Sequence, residues 1–162
     1  MAIKAGDTLP SDLKLKEMGD GGGPKDVTVG EVFKGKKVVV FAVPGAFTPT
    51  CSMKHLPGFV EKAEAIRKKG VDDIICLSVN DAFVMGAWGQ TSGAKGKVRM
   101  LADGNGEFTR AVGLELDASG FGMGKRSQRY AMIVQDGKVS DVFVEPGPGL
   151  NVSSADAVLA KL

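Results

Sequence analysis

The sequence predicts an α/β protein of three layers, a central mixed sheet flanked by helices. Three observations predict it. Apolar, β-branched runs at 37–43, 74–79 and 98–102 alternate with helical patterns, as parallel βαβ units do. Asp136-Gly137 then separates two further strand-like runs, 129–134 and 139–144, in the manner of a tight hairpin. Ser153 or Ser154 caps a last helix reaching Leu162.

Each element has its own signal. Residues 3–18 are mixed; the alternation Leu13-Lys14-Leu15-Lys16 predicts a short edge strand or hairpin arm, an N-terminal extension to the main sheet. Gly19 to Pro24 is a flexible turn, and Val27 to Phe33 a strand end or helical turn. Gly30 to Lys36 has the spacing of a phosphate-binding loop, but Lys37 and a strand follow where Ser or Thr and a helix are required, so that reading is rejected. After the strand 37–43, a helix is expected from Thr48 to about Lys69. Pro57 should kink or break it, because proline has no N–H and crowds the preceding turn. Phe59, Ala63 and Ile66 share its buried face, and Gly70 ends it. Asn80-Asp81 caps a helix to about Gln90, with Val84 and Trp88 on one face and Trp88 read as core. Asn105 to Val112 is a short helix, and Gly120 to Gly124 a loop.

Composition narrows the function classes. The chain of 162 residues is expected to be one domain, 1–162, with one good-sized core. A net charge of +2 gives no strong attraction for nucleic acid. No apolar run approaches membrane-spanning length. One His and two Cys cannot supply a four-ligand zinc site, and two Cys do not make a secreted disulfide framework. A reducing compartment suits them. The start shows neither a signal core nor transit-peptide character, which points to the cytoplasm, with a processed organellar form the alternative.

The stretch Pro44-Gly45-Ala46-Phe47-Thr48-Pro49-Thr50-Cys51 carries the chemistry. Thr48 suits an N-cap and Pro49 the first helical position, which puts Cys51 at the third. A thiol there meets unpaired backbone N–H groups and the positive end of the helix dipole. Both favour thiolate, the nucleophilic form, over thiol. His55 lies four residues on, on the same helical face; a Cys–His pair is conceivable, and a structural hydrogen-bonding role is favoured. Cys76 stands mid-strand in an apolar run and reads as a core residue.

Pro44, Thr48 and Cys51 stand in the P-x-x-x-T-x-x-C spacing of the peroxiredoxins. With His55-Leu56-Pro57-Gly58-Phe59, and with similarity through 78–84, 101–103 and 126–130, nearly the whole chain resembles the type II peroxiredoxins. The resemblance implies a thioredoxin-like fold and a thiol peroxidase that reduces hydrogen peroxide and alkyl hydroperoxides, without a cofactor. It implies Cys51 as the nucleophile oxidised to sulfenic acid, with Pro44, Thr48 and a distant Arg completing the site. By motif match that Arg is Arg129, with Arg126 as the other candidate. Thioredoxin, glutaredoxin or glutathione would recycle the enzyme. Plant-like members carry two cysteines at this separation, so Cys76 is a candidate resolving thiol. The C-terminal place where animal members carry a resolving Cys is here Gly149-Leu150-Asn151-Val152. A homodimer meeting through Ala46-Phe47 and the 120–124 loop is also implied.

One other reading uses the same thiol. A non-enzymatic redox sensor or interaction module on a thioredoxin-like fold would oxidise Cys51 and signal to a partner. The Thr48/Arg129 constellation separates the two, since a sensor has no need of it.

Overall fold

The computed structural model describes residues 1–162. In chain order it has β1 (Lys14–Met18), β2 (Pro24–Thr28), α1 (Val29–Phe33), β3 (Lys37–Val43), a π-helical turn (Cys51–His55) and α2 (Leu56–Arg67). Then come β4 (Asp73–Ser78), α3 (Ala82–Thr91), β5 (Arg99–Ala102), α4 (Glu107–Ala111), β6 (Glu115–Asp117), β7 (Lys125–Ser127), β8 (Tyr130–Gln135), β9 (Lys138–Val144) and α5 (Ala155–Leu159). Seven strands form one mixed sheet in the order β2-β1-β5-β4-β3-β8-β9. The centre, β5-β4-β3, is parallel, and β8 and β9 close one side antiparallel.

Alternation along β3 creates two cores. Val39, Phe41 and Val43 enter one apolar cluster; Val38, Val40 and Ala42 enter the other. Leu56, Phe59, Ala63 and Ile66 of α2, Met85 and Trp88 of α3, and Val158 of α5 cover the first face. Val29, Val32 and Phe33 of α1 with Phe108 of α4 cover the second. A strand buried on both faces has no polar alternation to keep, which is why β3 reads as an unbroken apolar run. The architecture is the thioredoxin-like α/β fold that the pattern predicts.

The caps act largely as their residues suggest. Asp81 accepts from the Val84 N–H and Ser154 from the Ala157 N–H, so Ser154 rather than Ser153 caps α5. Asp136 and Gly137 both have positive φ, 51° and 78°, as the tight turn between β8 and β9 demands.

Of three further features the first is the expected one and the other two differ from expectation. The N-terminal arm is the hairpin that the alternation predicts, its β1 pairing with β5 through Lys16 opposite Ala102, so it widens the main sheet by two strands. Residues 115–127 form a small separate sheet, β6 with β7, around the expected loop. Its strands are three residues long and carry Glu115, Asp117, Lys125 and Arg126, so no apolar pattern announces them. Third, the helix of Cys51 opens with the π-helical turn. The Leu56 N–H bonds back five residues to the Cys51 carbonyl. Pro57 follows in the first positions of α2, and it has no N–H to donate to Met53. The break signalled by Pro57 is thus absorbed as a widened turn just before it.

Candidate active site

The end of β3 and the start of β8 build the site between them. Ala42 pairs with Tyr130 in antiparallel register, so the residue before Tyr130 comes alongside the chain as it leaves β3. That residue is Arg129. It is buried, 6% exposed, and its Nη2 donates to Cys51 Sγ at 3.2 Å. Arg126 is directed elsewhere. Its Nε donates to the Met123 carbonyl and its Nη1 to the Val79 carbonyl, so it ties the loop after β6 to the end of β4.

The loop 44–50 is held in place from below. The Asn80 side-chain oxygen accepts from the Ala46 N–H at 3.0 Å and from the Ser78 hydroxyl at 2.6 Å. Gly45 needs its missing side chain: a Cβ there would sit 2.9 Å from Met123 Cε and 3.2 Å from Thr48 Cγ2. Phe47 adopts a positive φ of 65°, rare for an aromatic residue, and is 53% exposed.

Thr48 differs from its expected role. Its hydroxyl donates to the Gly45 carbonyl at 2.6 Å instead of accepting from a helix N–H. Its backbone carbonyl accepts from the Ser52 N–H at 2.9 Å, so the helix does start here. With its proton committed to Gly45, the hydroxyl oxygen has lone pairs to offer. The N–H groups of Thr50 and Cys51 find no partner among the turn, loop and cap hydrogen bonds. Cys51 occupies the predicted third helical position and is fully buried. Pro44, half-buried, follows β3 directly and adds no donor.

His55 is a hydrogen-bonding residue, not a base toward Cys51. Its Nε2 meets the Ser153 carbonyl at 2.8 Å, and a carbonyl only accepts, so the ring proton is on Nε2. Nδ1 is then the acceptor for Arg129 Nη1 at 2.9 Å. Phe41 and Phe59 stack at 4.0 Å and both pack on the imidazole. Burial there lowers the His55 pKa to about 3, Arg129 pushing the same way and the Ser153 bond opposing, so the ring is neutral at neutral pH.

Cys76, on β4 opposite Phe41, is fully buried and free, as is Cys51. Both belong to the same apolar cluster. Burial first, and then the charge of Cys51, push the Cys76 thiol far up, so it stays protonated.

Sequence reasoning missed several residues around the site. Ser52 accepts from the Trp88 indole N–H at 3.0 Å, which ties the π-helical turn to α3. Glu145 takes the Asn151 N–H, the Ser153 N–H and the Ser153 hydroxyl on one oxygen, Oε2, at 2.7–2.9 Å. Ser52 has no spacing signal because its partner lies 36 positions on, and Glu145 bonds residues six and eight positions on, spacings that match no cap or turn pattern.

Comparison with known proteins shows the family. The Redoxin family model matches residues 4–159. Peroxiredoxin-2B of Arabidopsis thaliana is 50% identical over 160 residues, covering 99% of this chain and 98% of that protein. The chain belongs to the peroxiredoxins. Peroxiredoxin sll1621 of Synechocystis is 53% identical over 145 residues, 85% of this chain and 76% of that one. Among solved structures, reduced Prx3 of Vibrio vulnificus in complex with hydrogen peroxide superposes with a TM-score of 0.93 at 51% identity, covering 98% of each chain. The similarity to plant and cyanobacterial relatives identifies a type II peroxiredoxin. The protein is accordingly a thiol peroxidase, acting on peroxides at the expense of thiol reductants.

Proposed function

We propose that Cys51 is the peroxidatic nucleophile and that Arg129, Thr48 and Pro44 complete its site. The observation that carries this reading is the buried guanidinium donating directly to Cys51 Sγ. The thiolate attacks one peroxide oxygen. A sulfur–oxygen bond forms, the oxygen–oxygen bond breaks, and the peroxide's proton passes to the leaving oxygen as water or alcohol. Cys51 becomes a sulfenate, which takes a proton from solvent to give sulfenic acid. Charge moves from sulfur across two oxygens, so donors of fixed geometry lower the barrier. Arg129 holds a planar fork that serves sulfur and oxygen together. Thr48, its own proton bonded to Gly45, accepts the peroxide O–H and orients it. Pro44 and the apolar cluster keep water from the thiolate.

A thiol then attacks the sulfenic sulfur, releasing water and leaving a mixed disulfide that a second thiol reduces. We assign that role to thioredoxin, glutaredoxin or glutathione. Cys76 is a facultative partner, reached only if the turn at Cys51 unwinds. Two free thiols suit a reducing compartment such as the cytoplasm. A homodimer through the active-site loops fits the exposure of Phe47 and Phe121, 53% and 86%, on the two loops expected to meet. Light scattering tests it: a monomer alone at micromolar concentration contradicts the dimer.

The test of the function is multiple turnover of hydrogen peroxide with dithiothreitol. Sustained turnover that Cys51→Ser abolishes supports the reading. A single oxidation with no turnover would favour the sensor.

A further inference from the structure

We propose that Glu145 and His55 are positioning residues for Arg129, joined through Ser153 into one hydrogen-bonded chain that aims the guanidinium at Cys51.

Arg129 is buried and makes no ion pair within 4 Å, unlike the more exposed Arg67, Arg99 and Arg110. Its Nε–H has no partner at all. Only two side-chain contacts orient the fork, Cys51 Sγ and His55 Nδ1. The sulfur is the reacting atom, so the neutral imidazole is the one fixed support. His55 can accept from Arg129 only while its proton is on Nε2, and the Ser153 carbonyl keeps it there. Ser153 is itself anchored by its N–H and its hydroxyl, at 2.9 and 2.7 Å, to Glu145 Oε2. The backbone closes the ring, since the Glu145 N–H donates to the Arg129 carbonyl at 2.9 Å. Glu145 therefore holds Arg129 twice, at the main chain and, through Ser153 and His55, at the head group.

Glu145 also supplies charge. It is 5% exposed, and burial alone would push its carboxyl up, but the bonds from Ser153 and Asn151 hold it below the usual carboxylate range. Its negative charge reaches His55. The links from Glu145 through Ser153 to His55 do not involve the sulfur, so they hold the guanidinium in place while Cys51 passes through its oxidised state.

The inference rests on Arg129 being the donor to sulfur, and the experiment separates the two claims. His55→Leu, His55→Gln, Glu145→Gln and Arg129→Lys are compared in the full chain for the rate of reaction with hydrogen peroxide, alkylation of Cys51 by iodoacetamide, and Tm. Gln at 55 can accept from Arg129 and donate to Ser153; Leu can do neither. His55→Leu should lose about tenfold or more in the peroxide rate, a fraction of what losing a transition-state donor outright costs. His55→Gln should regain most of it, and Glu145→Gln should fall between. Alkylation needs the thiolate but not the fork's alignment on peroxide, so it should stay within about twofold in His55→Gln and fall clearly less than the peroxide rate in His55→Leu and Glu145→Gln. A wild-type peroxide rate in His55→Leu overturns the proposal, as does a loss that His55→Gln fails to recover. So do peroxide and alkylation rates falling in proportion. Should His55→Leu not fold, a wild-type peroxide rate in Glu145→Gln overturns it. If Arg129→Lys reacts normally, the role of Arg129 fails as well; if only Arg129→Lys is slow, the chain alone fails.

Discussion

Arg129 and Cys51 stand 78 positions apart in the chain, yet Nη2 of one donates to Sγ of the other at 3.2 Å. The pairing of β8 against β3 brings them together, and burial removes competing water. In such surroundings a charged donor is worth far more than in solution.

Arg129→Lys should slow peroxide reduction by about a hundredfold, the scale of losing one preorganised donor. Lys keeps the charge and loses the planar fork, so it cannot hold both Cys51 and His55. Rapid-mixing kinetics measures the loss, with circular dichroism confirming the fold. If Arg129→Lys is unaffected and Arg126→Lys is slow, the assignment is wrong by three residues.

Thr48→Ser should retain most of the activity and Thr48→Val lose about tenfold or more, as expected when an orienting hydrogen bond is removed. Serine keeps a hydroxyl able to donate to the Gly45 carbonyl and accept from substrate. The same peroxide assay decides; equal rates in both variants would mean that the hydroxyl is not used.

Acid should destabilise the fold through His55. Its folded pKa of about 3 is below the ordinary 6.5, so between these values the unfolded chain binds the extra proton. Its contribution is complete above pH 6.5 and is lost as pH falls, by up to about 1.4 kcal/mol for each pH unit down to the folded value. Arg129, Glu145, Phe41 and Phe59 surround the ring, and the dominant cause is burial. Urea unfolding at pH 7 and pH 5 should show a larger drop for wild type than for His55→Gln. Equal drops would place the titration on other groups.

Cys76→Ser should still be oxidised once at Cys51 and should turn over with glutathione or glutaredoxin. Burial holds its thiol protonated and no charged donor bonds its sulfur, whereas Arg129 donates to Cys51, so Cys51 should be the first target. Steady-state turnover with each reductant checks this. A variant inactive with both would make Cys76 obligatory. A wild-type protein that never shows a Cys51–Cys76 bond by mass spectrometry would leave Cys76 as core alone.

Much of this was legible in the chain, and the reasons are local. The hairpin at Asp136-Gly137, the cap at Asp81 and the helix start at Pro49 each follow from a few adjacent residues whose conformational preferences agree. Cys51 was visible because its placement depends on that same short grammar. Thr48 reads as a cap and does open the helix, but a hydroxyl both donates and accepts, and only the folded loop shows that the Gly45 carbonyl takes its proton. Pro57 announced a break, but which turn would widen depends on packing. Arg129 needed the family motif to be singled out, since the register of β8 on β3 is not written at either strand. Glu145 carries no signal of its own, and Ser153 reads only as a candidate cap, because its link to His55, 98 positions away, exists only in the fold.

The central claim is that Cys51 is the thiol that peroxide oxidises. One equivalent of hydrogen peroxide is added to the reduced protein in the presence of dimedone, which traps sulfenic acids, and the adduct is located by peptide mass spectrometry. The adduct is predicted on Cys51 in wild type and in Cys76→Ser, with none in Cys51→Ser. An adduct on Cys76, or oxidation of Cys51→Ser at the wild-type rate, would contradict it.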